Sequence, residues 1–164
     1  VNIQRIAGAL SMHETSSKWR MEIHEGNEML LINDSYNANP ESMEAALRTL
    51  ILLTQERGGR SWAFLGTMHE LGPQSSAMHS EIGALASKLG IDHLVAIANK
   101  DYLANLPQSS MSTHYFSSVD GAREILREFE AGDVILVKAS RAEHLEVLAD
   151  HITSMWNTSE GERI

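Results

Sequence analysis

Short apolar runs alternate with longer amphipathic stretches along this chain, and the alternation fixes most of the expected architecture. Met29-Leu30-Leu31-Ile32, Ser61 to Gly66, Leu94-Val95-Ala96-Ile97, His114-Tyr115-Phe116 and Val134-Ile135-Leu136-Val137 are compact runs bounded by polar or turn residues, which predicts strands. Pro40 to Arg57 is apolar at 43, 46, 47, 50, 51 and 53, a helical stripe. Asn39 suits its N-cap, Pro40 its first turn, and Gly58-Gly59 its end. Ser75 to Leu89, with Ile82, Leu85, Ala86 and Leu89 on one face, predicts a second helix closed by Gly90. Val119 to Phe129 predicts a third, with Ala122, Ile125, Leu126 and Phe129 inward. Arg141 to Trp156 predicts a fourth, with Leu145, Leu148, Ala149 and Ile152 on one side. Ala98 to Pro107 reads as a loop or short helix. Lys18 to Glu25 and Glu28 to Asn33 flank Gly26-Asn27, a dipeptide suited to a tight hairpin turn with positive φ.

Strands that are apolar on both faces need cover on both faces. Alternated with helices, they predict an α/β fold: a Rossmann-like three-layer αβα arrangement around a mostly parallel sheet of about six strands, with an antiparallel N-terminal hairpin strand. Residues 1–17 open on Val1, carry one weak helical turn and then a polar run, and read as a linker and the tail of a preceding domain. Residues 18–157 form the domain proper, and 158–164 a frayed tail.

Composition narrows the function classes. With 164 residues, 43% hydrophobic and 21% charged, the chain suits one packed domain. It has no cysteine, which excludes disulfides and cysteine-ligated zinc and is compatible with a cytoplasmic setting. The net charge of −9 and the lack of a Lys/Arg cluster argue against nucleic acid. No apolar run approaches the ~20 residues that membrane insertion as a helix requires.

In an open parallel sheet, ligands sit beyond the carboxyl ends of the strands. Four such ends here are rich in chemistry: Asn33 to Pro40, Gly66 to Gly72, Ala98 to Asp101, and Lys138-Ala139-Ser140-Arg141. The last combines two cations, a hydroxyl and an expected helix N-terminus, a grouping suited to an anion. Plainer readings stand beside these. Asn39-Pro40 can be capping alone, Asp34 turn chemistry, and Lys138 and Arg141 a solvated edge. His69 and His79, ten apart, do not have a metal-site spacing. There is no G-x-x-x-x-G-K-[ST], G-x-G-x-x-G or G-x-S-x-G string, so the chain carries part of a site.

The strings DSYNANPESMEAAL (34–47), LGTMHELGPQSSAMHSEIGALASKLGID (65–92) and GDVILVKASRAEHLE (132–146) occur in order and resemble the C-terminal domain of the Mur ligase family. The resemblance runs from about Ser17 to Trp156 and is nearest to the branch that joins D-Ala-D-Ala to the UDP-MurNAc-tripeptide. It implies a three-domain enzyme whose N-terminal domain binds the UDP end and whose central domain holds ATP and Mg2+. ATP would convert the precursor carboxylate to an acyl phosphate, which the dipeptide amine attacks. The C-terminal domain closes over that site. By motif position, Arg20, Asp34, Tyr36, Asn37 and Asn39 would contact the nucleotide, with Asp34 on its ribose. Lys138, Ser140 and Arg141 would face the dipeptide, and no catalytic residue is assigned to this domain. The expected partners are therefore ATP, D-Ala-D-Ala, the UDP-MurNAc-tripeptide and the two other domains of the same chain; without the phosphate-binding loop this piece alone should not turn over. Three positions depart from the family: Trp19 and Ala139 stand where it has glycine, and Thr67 where it has an acid. The alternatives are another ligase of the superfamily, including folylpolyglutamate synthase, and a noncatalytic receiver-like module. The receiver reading meets Thr67 and Ala98 where a phosphoacceptor carboxylate is needed.

Overall fold

The computed structural model describes residues 18–161, and the expected linker over 1–17 lies outside them. Six strands form one sheet in the order β1-β2-β6-β3-β4-β5: β1 Glu22–Gly26, β2 Met29–Asp34, β3 Ser61–Leu65, β4 His93–Ile97, β5 Ser112–Phe116 and β6 Val134–Lys138. β1 runs antiparallel to β2, and every other pairing is parallel. The expected α/β architecture is what forms.

The pleat divides the apolar runs between two cores, because successive side chains point to opposite faces. Leu30, Ile32, Ala63, Leu65, Leu94, Ala96, Val134 and Leu136 pack on one face against helix α1 (Pro40–Arg57) and α2 (Ser75–Leu89). Leu31, Trp62, Phe64, Val95, Ile97, Ile135 and Val137 pack on the other. There they meet α3, which starts at Val119–Ala122, and α4 (Glu146–Gly161). This two-sided burial is why the strands read as continuous apolar runs. The order also matters for the site. The chain leaves β2, builds β3, β4 and β5 outward, and then returns to insert β6 between β2 and β3. Lys138 at the end of β6 is thereby in register with Asp34 on one side and Leu65 on the other.

Four local expectations are corrected. The hairpin turn is Asn27-Glu28, both at positive φ, rather than Gly26-Asn27. Gly26 pairs with Met29 inside the ladder, and a Cβ there would lie 2.6 Å from the Trp156 ring. Its glycine therefore serves packing rather than the turn. The third helix is α-helical only over Val119–Ala122 and continues as a 3-10 helix over Arg123–Glu128. Gly121 weakens its first turn, and the three-residue step from Ala122 to Ile125 fits the tighter winding equally well. The fourth helix does not open at Arg141. Arg141–Glu143 is one 3-10 turn, His144 is left-handed at φ 54, and α4 begins at Glu146. That break turns Leu145 into the core beside Gly66 and Ala139. Finally, α4 continues past Trp156 to Gly161, through residues expected to lie in a polar tail.

Candidate functional site

Three strand-end loops meet over the carboxyl end of β6. The strongest link between them is a buried ion pair. Lys138 Nζ donates to Asp34 Oδ2 at 2.6 Å and to the Asn37 carbonyl at 2.9 Å. Lys138 is 2% exposed and Asp34 7%. An ammonium so placed needs a carboxylate nearby, since a lone buried charge is strongly disfavoured. The backbone N–H of Met21 donates to Asp34 Oδ1 at 3.2 Å, bringing the segment before β1 to the same carboxylate. The sequence reading gave Asp34 and Lys138 to two ligands; the fold makes them one unit.

Ser140 joins the other loops. Its N–H donates to the Thr67 carbonyl at 3.0 Å. Its hydroxyl accepts from the His69 N–H at 2.9 Å and donates to the Ala38 carbonyl at 3.4 Å. His79, fully buried, braces the same region. Its Nε2 accepts from the Met68 N–H at 2.9 Å, so the proton sits on Nδ1, which donates to the Ser75 carbonyl at 2.7 Å. Tyr102 donates its hydroxyl to the Gly66 carbonyl at 2.6 Å. Burial, with the Glu143 charge adding to it, pushes that phenol far above its ordinary range, so it stays neutral.

Asn39 caps α1 as expected. Its side chain accepts from the Ser42 N–H at 2.8 Å, and its own N–H donates to the Ser42 hydroxyl at 3.1 Å. The grouping expected around a helix N-terminus at Arg141 is corrected by the late start of α4. The N–H groups of Glu143 and His144 are spent within the 3-10 turn, on the Ser140 and Arg141 carbonyls.

On the rim, side chains stack in alternation. The Arg20 guanidinium lies 4.3 Å from the Tyr36 ring centre. The Arg141 guanidinium lies 5.6 Å from Tyr36 and 4.3 Å from Trp19. Among the described residues neither arginine has an ion-pair partner, whereas Lys138 is neutralised by Asp34. The rim is therefore positive on a chain of net charge −9. Beside it opens a pocket of about 290 Å³, lined by Arg20, Met21, Asp34, Asn37 and Lys138 and walled by Ser42, Ala45, Ala46 and Thr49 of α1. Arg20, Asp34, Asn37 and Lys138 thus share one cavity, while Tyr36, Asn39, Ser140 and Arg141 are not part of its lining and Tyr36 and Arg141 connect to it through the stack on Arg20. The sequence reading missed Trp19, Met21, Ser42 and Thr49. The helix wall had a signal, because 42, 45, 46 and 49 follow helical spacing with small or hydroxyl side chains beside the apolar stripe. Met21 acts through its backbone and Trp19 through a left-handed φ of 66°, neither of which composition displays.

The departures can be placed as well. Trp19, expected from the resemblance to replace a glycine, takes a left-handed backbone at φ 66°. Ala139 is fully buried in the core, against the face that Gly66 leaves open. The Thr67 carbonyl accepts from the Ser140 N–H, and its hydroxyl oxygen accepts from the Asn99 side-chain amide at 3.5 Å.

The family model described as "Mur ligase, glutamate ligase domain" matches residues 19–141. The UDP-N-acetylmuramoyl-tripeptide–D-alanyl-D-alanine ligase of Mycobacterium tuberculosis strain H37Rv is 33% identical over 175 residues, covering 93% of this chain and 34% of that protein. The ligase of the same name from Bacillus subtilis is 36% identical over 131 residues, covering 76% of this chain and 28% of its own. A crystal structure of MurF from Acinetobacter baumannii superposes with a TM-score of 0.75 and 26% identity over 94% of this chain and 34% of that one. MurF from Thermotoga maritima, solved in complex with ADP, shares the fold at a TM-score of 0.70 and 22% identity, over 89% of this chain and 33% of that one. The chain spans about a third of the length of the curated relatives it matches.

Proposed function

The chain belongs to the Mur ligase family through its glutamate ligase domain, and we propose that it works as the C-terminal domain of a cytoplasmic, ATP-dependent ligase adding D-Ala-D-Ala to the UDP-MurNAc-tripeptide. The observation that carries this reading is the pair of guanidiniums stacked about Tyr36, Arg20 and Arg141, neither with an ion-pair partner among the described residues, with Arg20 lining the pocket it shares with Asp34 and Lys138. Such a ligase handles anions on both sides of its reaction: nucleotide phosphates and the carboxylates of the two peptides. Cations without internal carboxylates match that demand.

On the nucleotide side, Asp34 keeps acceptor capacity facing the pocket after taking one hydrogen bond on each oxygen. That capacity suits the two hydroxyls of a ribose. Asn37 and Asn39 add amides, Tyr36 a ring face, and Arg20 a charge for phosphate. On the acceptor side, Arg141 offers a planar fork for the dipeptide carboxylate. Lys138 and Ser140 act from below, one fixing Asp34 and the other locking three loops. In the reaction, the γ-phosphoryl group passes from ATP to the tripeptide carboxylate, and the dipeptide amine then displaces phosphate to form the amide. The Mg2+ that accompanies the nucleotide would sit with the phosphates in the central domain. No described helix is long and apolar enough to cross a membrane.

The test is steady-state kinetics of the complete ligase. Arg20→Gln raises the KM for ATP about ten-fold or more, and Arg141→Gln does the same for D-Ala-D-Ala, since each removes a charge-assisted contact. Both side chains are exposed, so folding is not at stake. Unchanged constants for both variants would overturn the reading.

A further inference from the structure

Trp19 has a left-handed backbone, at φ 66°. A large aromatic side chain holds that conformation only where neighbours fix it. They do so on both sides of the residue. The Trp19 N–H donates to Glu22 Oε1 at 2.6 Å, and the Trp19 carbonyl accepts from the Tyr36 N–H at 3.0 Å. The indole is thereby set 4.3 Å from the Arg141 guanidinium, which also lies 5.6 Å from the Tyr36 ring. Tyr36 in turn carries Arg20 at 4.3 Å. The layers run Trp19, Arg141, Tyr36, Arg20, so two like charges are held near one ring.

A guanidinium donates hydrogen bonds only in its plane. Aromatic contacts on its faces therefore leave the N–H edge outward and restrict its rotation. A flexible arginine loses rotamer freedom when it binds a carboxylate, and a pre-stacked one has lost part of it already. Arg141 opens a short 3-10 turn rather than a long helix, so its own segment supplies little rigidity.

We propose that Trp19 is a positioning residue: it clamps Arg141 for the carboxylate of the acceptor dipeptide and so sets acceptor affinity. The inference rests on the acceptor role assigned to Arg141. Trp19 touches no reacting atom and acts through that side chain. Glycine at 19 would relieve the backbone strain but leave Arg141 with one aromatic contact.

The experiment is a kinetic cycle in the complete ligase with Trp19→Gly, Trp19→Phe, Arg141→Gln and the double variant Trp19→Gly/Arg141→Gln. Glycine accepts the left-handed backbone, so Trp19→Gly does not endanger folding. The expected result is an acceptor KM raised about three- to ten-fold by Trp19→Gly, with kcat and the ATP KM within about two-fold, and recovery in Trp19→Phe. In the Arg141→Gln background, Trp19→Gly should add nothing. An unchanged acceptor KM in Trp19→Gly, with Arg141→Gln impaired, would overturn the clamp and leave the acceptor role standing. Additive effects, or a change confined to the ATP KM, would overturn it too. If Arg141→Gln itself leaves the acceptor KM unchanged, the acceptor role fails and the clamp with it.

Discussion

At the residue scale, the buried pair Lys138–Asp34 decides both stability and site geometry. Removing one partner leaves a charge in a place water barely reaches. Lys138→Met should therefore destabilise the domain by about 3 kcal/mol or more in a denaturant titration, while Lys138→Met with Asp34→Leu should cost less than the single change. A double-variant loss equal to the sum of the losses of Lys138→Met and Asp34→Leu would show that the pair is not coupled. The sequence displayed both residues at strand ends, but not their contact, because that depends on β6 lying between β2 and β3. Strand order is a long-range property, and local pattern carries no record of it. Asn39 shows the opposite case. Its capping box spans three residues, and Asn-Pro ahead of an amphipathic run was enough to read it. Asn39→Ala should cost about 1 kcal/mol by the same measurement.

At the element scale, strands, α1 and α2 followed their local signals. The break at His144 and the ladder position of Gly26 answer to neighbours far away in sequence, whereas the 3-10 course of α3 follows its own Gly121 and apolar spacing. Two glycines separate the cheap contact from the costly one. A Cβ on Gly26 would meet the Trp156 ring at 2.6 Å, a side chain that can shift. A Cβ on Gly83, within α2, would lie 1.8 Å from the Tyr102 carbonyl oxygen, which is backbone of the loop holding the β3 end. Gly83→Ala should thus lose about 3 kcal/mol, at the upper end of overpacking costs, and exceed Gly26→Ala. The reverse order in thermal or denaturant unfolding would contradict the packing described for α2.

At the scale of the whole molecule, the two ends of the sheet have different work. The amino ends hold a structural cluster in which Asp133 accepts from Arg60 and from Trp62 Nε1, both at 2.8 Å. His93 stacks on Trp62 there, with ring centres 3.7 Å apart. Burial, then the charges of Arg60 and His114, lower the His93 pKa below its ordinary 6.5, against weaker opposing pulls from Asp92 and Asp133. The folded state thus keeps His93 neutral where the unfolded chain takes up a proton. Its contribution to stability is full above about pH 6.5 and is lost as pH falls toward the lowered folded value. His93→Gln should flatten that part of the stability profile; an unchanged slope would remove His93 as its source. The carboxyl ends hold the open pocket and the positive rim, which on the function proposed above would face ligands delivered by other domains. The most direct test of that account is amide formation by the complete ligase from ATP and UDP-MurNAc-tripeptide, offered D-Ala-D-Ala beside D-Glu, L-Lys and L-Glu. Consumption of the dipeptide with matching release of ADP and phosphate, and no use of the single amino acids, is the predicted result. Incorporation of a single amino acid with the dipeptide ignored would contradict it.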